Sequence, residues 1–318
     1  MAVVPELEAF LELAEFGRMT GKSQAMHEQT PEQARRDFEA SASFFNVPLE
    51  HIGVEERVIT ARDGWSLPAR IYRRAQRDSG LQPVMLYFHG GGYVVGSLES
   101  HDSLCRHLVA QGHFDLLTVD YRLAPEWRFP TPVQDACDTA NWLLNHGAAH
   151  GLDASHVAFA GDSVGASLAT VLSIMAVREP EALKLVPKAQ LLVYPVTDAV
   201  SKRASHRDFA ENYLLETATL DWFYQHYART PQDLADWRCS PLRTPDLSAL
   251  APALVYLAGY DPLHDEGLAY AERLRQAGTP LTLREQPGMT HDFLRMVGLL
   301  DEVQGIHAEV AEWVRDHL

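Results

Sequence analysis

The sequence predicts an α/β fold in which helices cover both faces of a mostly parallel sheet. Two observations carry that expectation. Apolar runs of strand length alternate with amphipathic stretches of helix length over most of the chain, the pattern that parallel crossovers impose. A turn signal, Asp63-Gly64 between two strand-like runs, comes before the alternation and predicts one hairpin, hence one antiparallel partner.

The chain starts with helix. Residues 1–47 place Leu7, Phe10, Leu11, Leu13 and Ala14 at helical spacing, and a second helical stretch covers 31–45. Strand-like runs at 55–60 and 68–72 flank the hairpin turn. Further runs at 84–88, 116–119, 157–160, 190–194, 254–257 and 281–283 read as strands. Stretches 101–111, 132–145, 164–177, 266–276 and 305–317 read as helices. The interval between 194 and 254 is too long for an ordinary connection. Its clusters Tyr213-Leu214-Leu215 and Trp222-Phe223-Tyr224 predict folded structure lying over the sheet beside the N-terminal helices.

Charge narrows the function classes. The 318 residues carry 27 Lys and Arg against 43 Asp and Glu, a net charge of −16. That balance disfavours nucleic acid, which needs clustered cations, and anionic membranes. No apolar run approaches the roughly 20 residues of a membrane helix. Glu6, Glu8 and Glu12 interrupt the N-terminal stretch where a secretory signal needs a basic start and an apolar run. Cys105, Cys137 and Cys239 are scattered, with neither metal-ligand spacing nor a disulfide framework. The expectation is a soluble cytoplasmic protein that uses no metal and no cofactor.

Chemistry is written at the ends of the strand runs. The run at 157–160 leads into Gly161-Asp162-Ser163-Val164-Gly165 and then a helix. A serine in such a strand–turn–helix context is a candidate nucleophile on a sharp elbow, facing the partial positive charge of a helix N-terminus. After the run at 84–88 comes His89-Gly90-Gly91-Gly92. Successive glycines leave backbone N–H groups unshielded, as an oxyanion-binding loop requires. A phosphate loop is one competing reading, and the chain lacks its Gly-x-x-x-x-Gly-Lys-Ser/Thr pattern; a merely flexible loop is the other, since glycine marks turns generally. His89 is expected to fix this loop by a hydrogen bond and not to act as the base.

A serine needs a base that a third group holds in place. His291 qualifies, in the loop expected after the last strand run, and Asp261 qualifies directly after the run at 254–257. Asp265 and Glu266 are rivals for the acid, but their place at a helix start fits capping better. The order Ser163, Asp261, His291 is that of the α/β-hydrolases.

Taken together, these stretches resemble the hormone-sensitive-lipase-like carboxylesterases, or microbial family IV esterases, in their GDSxG subgroup. The residues that carry the resemblance are His89-Gly90-Gly91-Gly92, Asp120-Tyr121-Arg122-Leu123-Ala124-Pro125-Glu126, Gly161-Asp162-Ser163-Val164-Gly165, Asp261-Pro262-Leu263-His264-Asp265-Glu266-Gly267 and Gly288-Met289-Thr290-His291-Asp292-Phe293. The resemblance implies an α/β-hydrolase fold with an eight-stranded sheet and a helical cap. It assigns the nucleophile to Ser163, the acid to Asp261 and the base to His291, and the oxyanion donors to the N–H groups of Gly91, Gly92 and Val164. It implies hydrolysis of short-to-medium-chain acyl esters, with amide or lactone hydrolysis, or ligand reception without turnover, as alternatives on the same fold. Pairing of two copies through a sheet edge is also implied by the resemblance alone.

The expected organisation is a cap built from 1–47 and 198–235 over a catalytic domain of 48–197 and 236–318. Two departures from the family pattern stand out: Val164 replaces the usual Ala and narrows the space beside the serine, and Ala166 replaces a Gly in the helix. Trp222, Phe223, Phe38 and Phe44 are candidates to line the pocket, although apolar side chains on helices more commonly pack inside a cap.

Overall fold

The computed structural model describes residues 2–76 and 79–318. Helices α1 (Pro5–Met19) and α2 (Pro31–Phe45) open the chain. Thr30 starts α2 with a reciprocal cap, its Oγ1 accepting from Gln33 N while Gln33 Oε1 accepts from Thr30 N. Strands β1 (Ile52–Thr60) and β2 (Ser66–Arg74) form the hairpin around Asp63-Gly64. The alternating part follows as β3 (Gln82–Phe88), α3 (Asp102–Gln111), β4 (Asp115–Val119), α4 (Thr131–His146), β5 (Leu152–Asp162), α5 (Val164–Arg178) and β6 (Ala189–Val193). Short helices α6 (Ala204–Asp208), α7 (Thr217–Tyr227) and α8 (Pro231–Ala235) fill the long interval. Strand β7 (Ala253–Tyr260), α9 (His264–Gln276), β8 (Leu281–Thr290) and α10 (Asp301–Arg315) complete the fold.

All eight strands join one sheet in the order β1-β2-β4-β3-β5-β6-β7-β8. β2 runs antiparallel to both its neighbours, and β4, β3, β5, β6, β7 and β8 are mutually parallel. The strand runs read as continuously apolar because both faces are buried. Along β3, Val84, Leu86 and Phe88 enter a core shared with α4, α5 and α9, while Met85 and Tyr87 enter a second core shared with α3 and α10. α5 is buried on every side, from Val164 to Ala176, which matches its lack of a polar face.

Several element bounds differ from the sequence reading, β5 for example starting at Leu152 instead of 157, and two of the differences have a clear cause. β8 continues through Pro287 and Gly288 to Thr290, where a loop was expected from 287 onward. It is the last strand in the sheet, so a proline without an N–H is tolerated there. The pairing with β7 is irregular between Ala258 and Tyr260. Gly259 makes room for this, since a Cβ there would lie 2.7 Å from the Pro287 Cα. Helix α10 begins at Asp301, one turn before the expected start at 305, with Asp301 and Glu302 favoured in its first turn by the helix dipole.

The glycines differ sharply in what they accommodate. A Cβ on Gly165 would overlap the carbonyl oxygen of Phe88, a backbone atom that cannot swing aside. A Cβ on Gly305, exposed in the middle of α10, would meet nothing within 4 Å. Urea unfolding of Gly165→Ala should therefore show a loss of at least about 3 kcal/mol, at the upper end of overpacking effects. Gly305→Ala should gain about 0.5–1 kcal/mol from reduced unfolded-state entropy and better helix propensity.

Candidate active site

Parallel strands deliver their carboxyl ends to one edge of the sheet, where ligands bind in folds of this kind. Gly90, Gly91 and Gly92 follow β3, Ser163 follows β5, Asp261 follows β7 and His291 follows β8. The structure brings Ser163, His291 and Asp261 together from these separate strands. His291 Nε2 lies 3.0 Å from Ser163 Oγ, and His291 Nδ1 lies 2.7 Å from Asp261 Oδ2. The second carboxylate oxygen of Asp261 accepts from Leu263 N at 2.8 Å, which fixes the group that faces the imidazole. Tyr194 packs its ring against His291, with centroids 4.4 Å apart.

Ser163 sits in the strained elbow that the motif implies, at φ 54° and ψ −122°. Its N–H donates to Val193 O at 2.9 Å and so keeps β6 beside it. Gly91 and Gly92, both at positive φ, and Val164 at the start of α5 border the same cavity as Ser163 and His291. The first N–H groups of a helix have no partner within it, so Val164 has a donor available there. The His89 Nδ1–H donates to Gly90 O at 2.8 Å, and burial lowers its pKa to about 3. His89 is thus a neutral loop residue outside the Ser163–His291–Asp261 chain.

Burial works against the charged form of His291, but the charge and hydrogen bond of Asp261, with Asp292 and Asp162 behind them, outweigh it. The net effect raises its pKa above 6.5. The imidazolium is therefore favoured as soon as the ring takes a proton.

A cavity of about 340 Å³ opens above these groups. Its walls are mainly apolar and come from α1, α2, α7 and the segment before α7, with Phe38, Leu215 and Phe223 among them. Phe223 lies on Gly92 so closely that a Cβ on that glycine would overlap its ring. Of the four aromatics considered from sequence, Phe38 and Phe223 line the cavity. Trp222 packs on the core, and Phe44 is 68% exposed. Val164 borders the cavity beside the serine.

Asp265 and Glu266 do not cap α9, contrary to the sequence reading. Leu263 occupies the cap position, and the two carboxylates turn to other chain segments. Asp265 accepts from Ser205 N at 3.0 Å, while Glu266 accepts from Thr197 N at 2.6 Å and Asp198 N at 3.1 Å. Burial raises the Glu266 pKa to about 8. The sequence reading also gave no role to Asp162, Tyr194, Asp292 or Arg295. Asp162 and Asp292 stood inside quoted motifs, next to Ser163 and His291, and that adjacency was the available signal. Among the described residues no group of three or more His, Cys, Asp or Glu side chains is arranged to hold a metal ion.

A family model described as alpha/beta hydrolase fold matches residues 85–295. The chain is 45% identical to the ethyl acetate hydrolase of Pseudomonas putida over the whole of both proteins. It is 39% identical to the carboxylic ester hydrolase LipN of Mycobacterium tuberculosis, covering 79% of this chain and 67% of that one. Among solved structures, an ester hydrolase from the metagenome of Lake Arreo, complexed with a bipyridine phosphonate derivative, superposes with a TM-score of 0.93 at 34% identity over 99% of each chain. A thermostable esterase from Pseudomonas putida does so with a TM-score of 0.93 at 33% identity, covering 100% of this chain and 98% of that one. With an eight-stranded sheet of the same kind and this similarity along its full length, the chain belongs to the hormone-sensitive-lipase-like carboxylesterases of the α/β-hydrolase superfamily.

Proposed function

We propose that this protein hydrolyses small carboxylic esters, with Ser163 as nucleophile, His291 as base and Asp261 as acid. The observation that carries the reading is the continuous hydrogen-bond chain from Ser163 through His291 to Asp261 at the floor of an apolar cavity. His291 Nε2 takes the Ser163 proton as Oγ adds to the ester carbonyl carbon, and the displaced electron pair becomes an oxyanion. The N–H groups of Gly91, Gly92 and Val164 donate to that oxyanion. When the intermediate collapses, the alcohol leaves with the proton from His291 and the acyl group stays on Ser163. Water, deprotonated by His291, then adds to the acyl carbon. The second collapse returns the proton to Ser163 and releases the carboxylic acid. Asp261 holds the Nδ1–H and offsets the imidazolium charge through both steps.

Residues 1–47 and 198–235 act as the cap in this reading. Arg18 Nη1 and Glu216 Oε1, 2.6 Å apart, tie its two pieces together. Arg35 pins α2 to the catalytic part through the carbonyls of Val94 and Ala124, at 2.8 and 2.7 Å. Phe38 and Phe223 limit the cavity to short and medium acyl groups, and a full-length relative named for ethyl acetate supports a small ester. Three buried, unpaired cysteines support residence in a reducing compartment such as the cytoplasm. No helix among the described residues is long and apolar enough to cross a membrane. Two copies would pair through an edge of the sheet, at β1 or at β8.

Ser163→Ala should lower turnover of a short-chain aryl ester by at least about 10⁴-fold while leaving the fold intact. Retention of wild-type activity in that variant would sink the assignment. His291 must be neutral to accept a proton, so kcat/KM should rise with pH through a limb above 6.5 and then level off. A limb below that value would contradict the raised pKa. Phe223→Ala should move the maximum of an acyl-length series toward longer chains, and an unchanged profile would exclude Phe223 as the limiting wall.

A further inference from the structure

Immediately before Ser163 stands Asp162, a carboxylate with only 2% of its surface exposed and no part in the steps above. Burying an ion is costly unless partners compensate it, so its neighbours indicate its use. Oδ1 accepts from Gly90 N at 3.0 Å and from the Tyr87 hydroxyl at 2.7 Å. His101 Nε2 stands 3.4 Å from the same oxygen. Oδ2 occupies the space into which a Cβ on Gly90 would project, so the loop and the carboxylate are in direct contact. Gly90 is joined by one peptide bond to Gly91, and Asp162 by one to Ser163. A single carboxylate thus connects the loop that receives the oxyanion to the elbow that carries the nucleophile.

Its charge has two opposite effects. A negative charge near the developing oxyanion opposes that oxyanion. The same charge favours the imidazolium form of His291, to which Asp162 contributes alongside Asp261 and Asp292. Several groups surround these carboxylates. Tyr87 comes from β3, His101 from just before α3, and Tyr194 from just after β6. Arg295, from the turn after β8, pairs with Asp292 and donates to Ser100 O at 3.2 Å. Burial pushes the Asp162 pKa up, but the charge and hydrogen bond of His101, the Tyr87 hydroxyl and the charge of Arg295 bring it down to about 2. Asp162 is ionised throughout the working range.

We propose that Asp162 is a positioning residue, which clamps the oxyanion loop onto the nucleophile elbow through Gly90 N–H and keeps a fixed negative charge one peptide bond from Ser163. The inference rests on the esterase reading and adds a residue to it. Its test is kcat and KM for a short-chain aryl ester across pH, for wild type, Asp162→Ala and Asp162→Asn, with circular dichroism reporting the fold. The Ala variant loses both acceptor and charge. Its kcat should fall by about 10²–10³-fold, as when an oxyanion donor is lost, with KM changed by less than about threefold. The Asn variant keeps an acceptor for Gly90 N–H but loses the charge. Its kcat should fall less, and the acid limb of its kcat/KM should move down by roughly half to one pH unit, because the imidazolium has lost a neighbouring anion.

If the Ala variant does not fold, the Asn variant decides alone. An Asn variant with unchanged kcat and an unchanged acid limb overturns the inference, as does a folded Ala variant whose loss lies in KM. Absence of ester hydrolysis in the wild type itself would instead overturn the esterase reading.

Discussion

The contact on which the site depends is between two stretches of backbone. Phe88, at the end of β3, presses its carbonyl against Gly165 in the first turn of α5, where no side chain could fit. Gly161 closes on Gly165 in the same way. This approach puts the proposed oxyanion loop and the elbow that carries Ser163 within hydrogen-bond reach of each other. It holds Ser163 at a φ of 54°, which costs on the order of 1–3 kcal/mol and persists only where the surroundings enforce it. The two buried cores on either side of the sheet provide that enforcement. The reactive geometry is therefore a consequence of strand-to-helix packing, and the chemistry adds little strain of its own.

Electrostatics then sets what the geometry can do. His291 receives opposing influences, and the balance favours protonation because three carboxylates outweigh its burial. Each of those carboxylates is held by donors other than the imidazole. Leu263 N holds Asp261, Arg295 holds Asp292, and Gly90 N with Tyr87 holds Asp162. Preorganised charges of this kind need no rearrangement when the imidazolium forms.

Much of this was readable from the sequence, for physical reasons. Strands buried on both faces leave continuous apolar runs, and the residues that follow those runs all arrive at one edge of the sheet. Ser163, Asp261 and His291 could therefore be picked as strand-end residues before their distances were known. What was not readable depends on contacts between segments far apart in the chain. Asp265 and Glu266 look like caps from local order alone, and only the fold turns them toward Ser205 and Thr197. Phe44 and Phe45 are adjacent and chemically identical, yet one is exposed and the other buried, because a helix aims successive residues about 100° apart. β8 hid its length behind Pro287 and Gly288, which act as breakers everywhere except on a sheet edge.

The strand that carries His291 has one more consequence. Of the three groups in the hydrogen-bond chain, His291 comes last in chain order, and it reaches Ser163 only when β8 docks on β7. During synthesis, a nascent chain that has already folded its elbow and glycine loop still lacks the proposed proton acceptor. On the proposed assignment, completion of the triad and completion of the sheet therefore coincide, and a fragment that ends before β8 lacks its third member however well it folds.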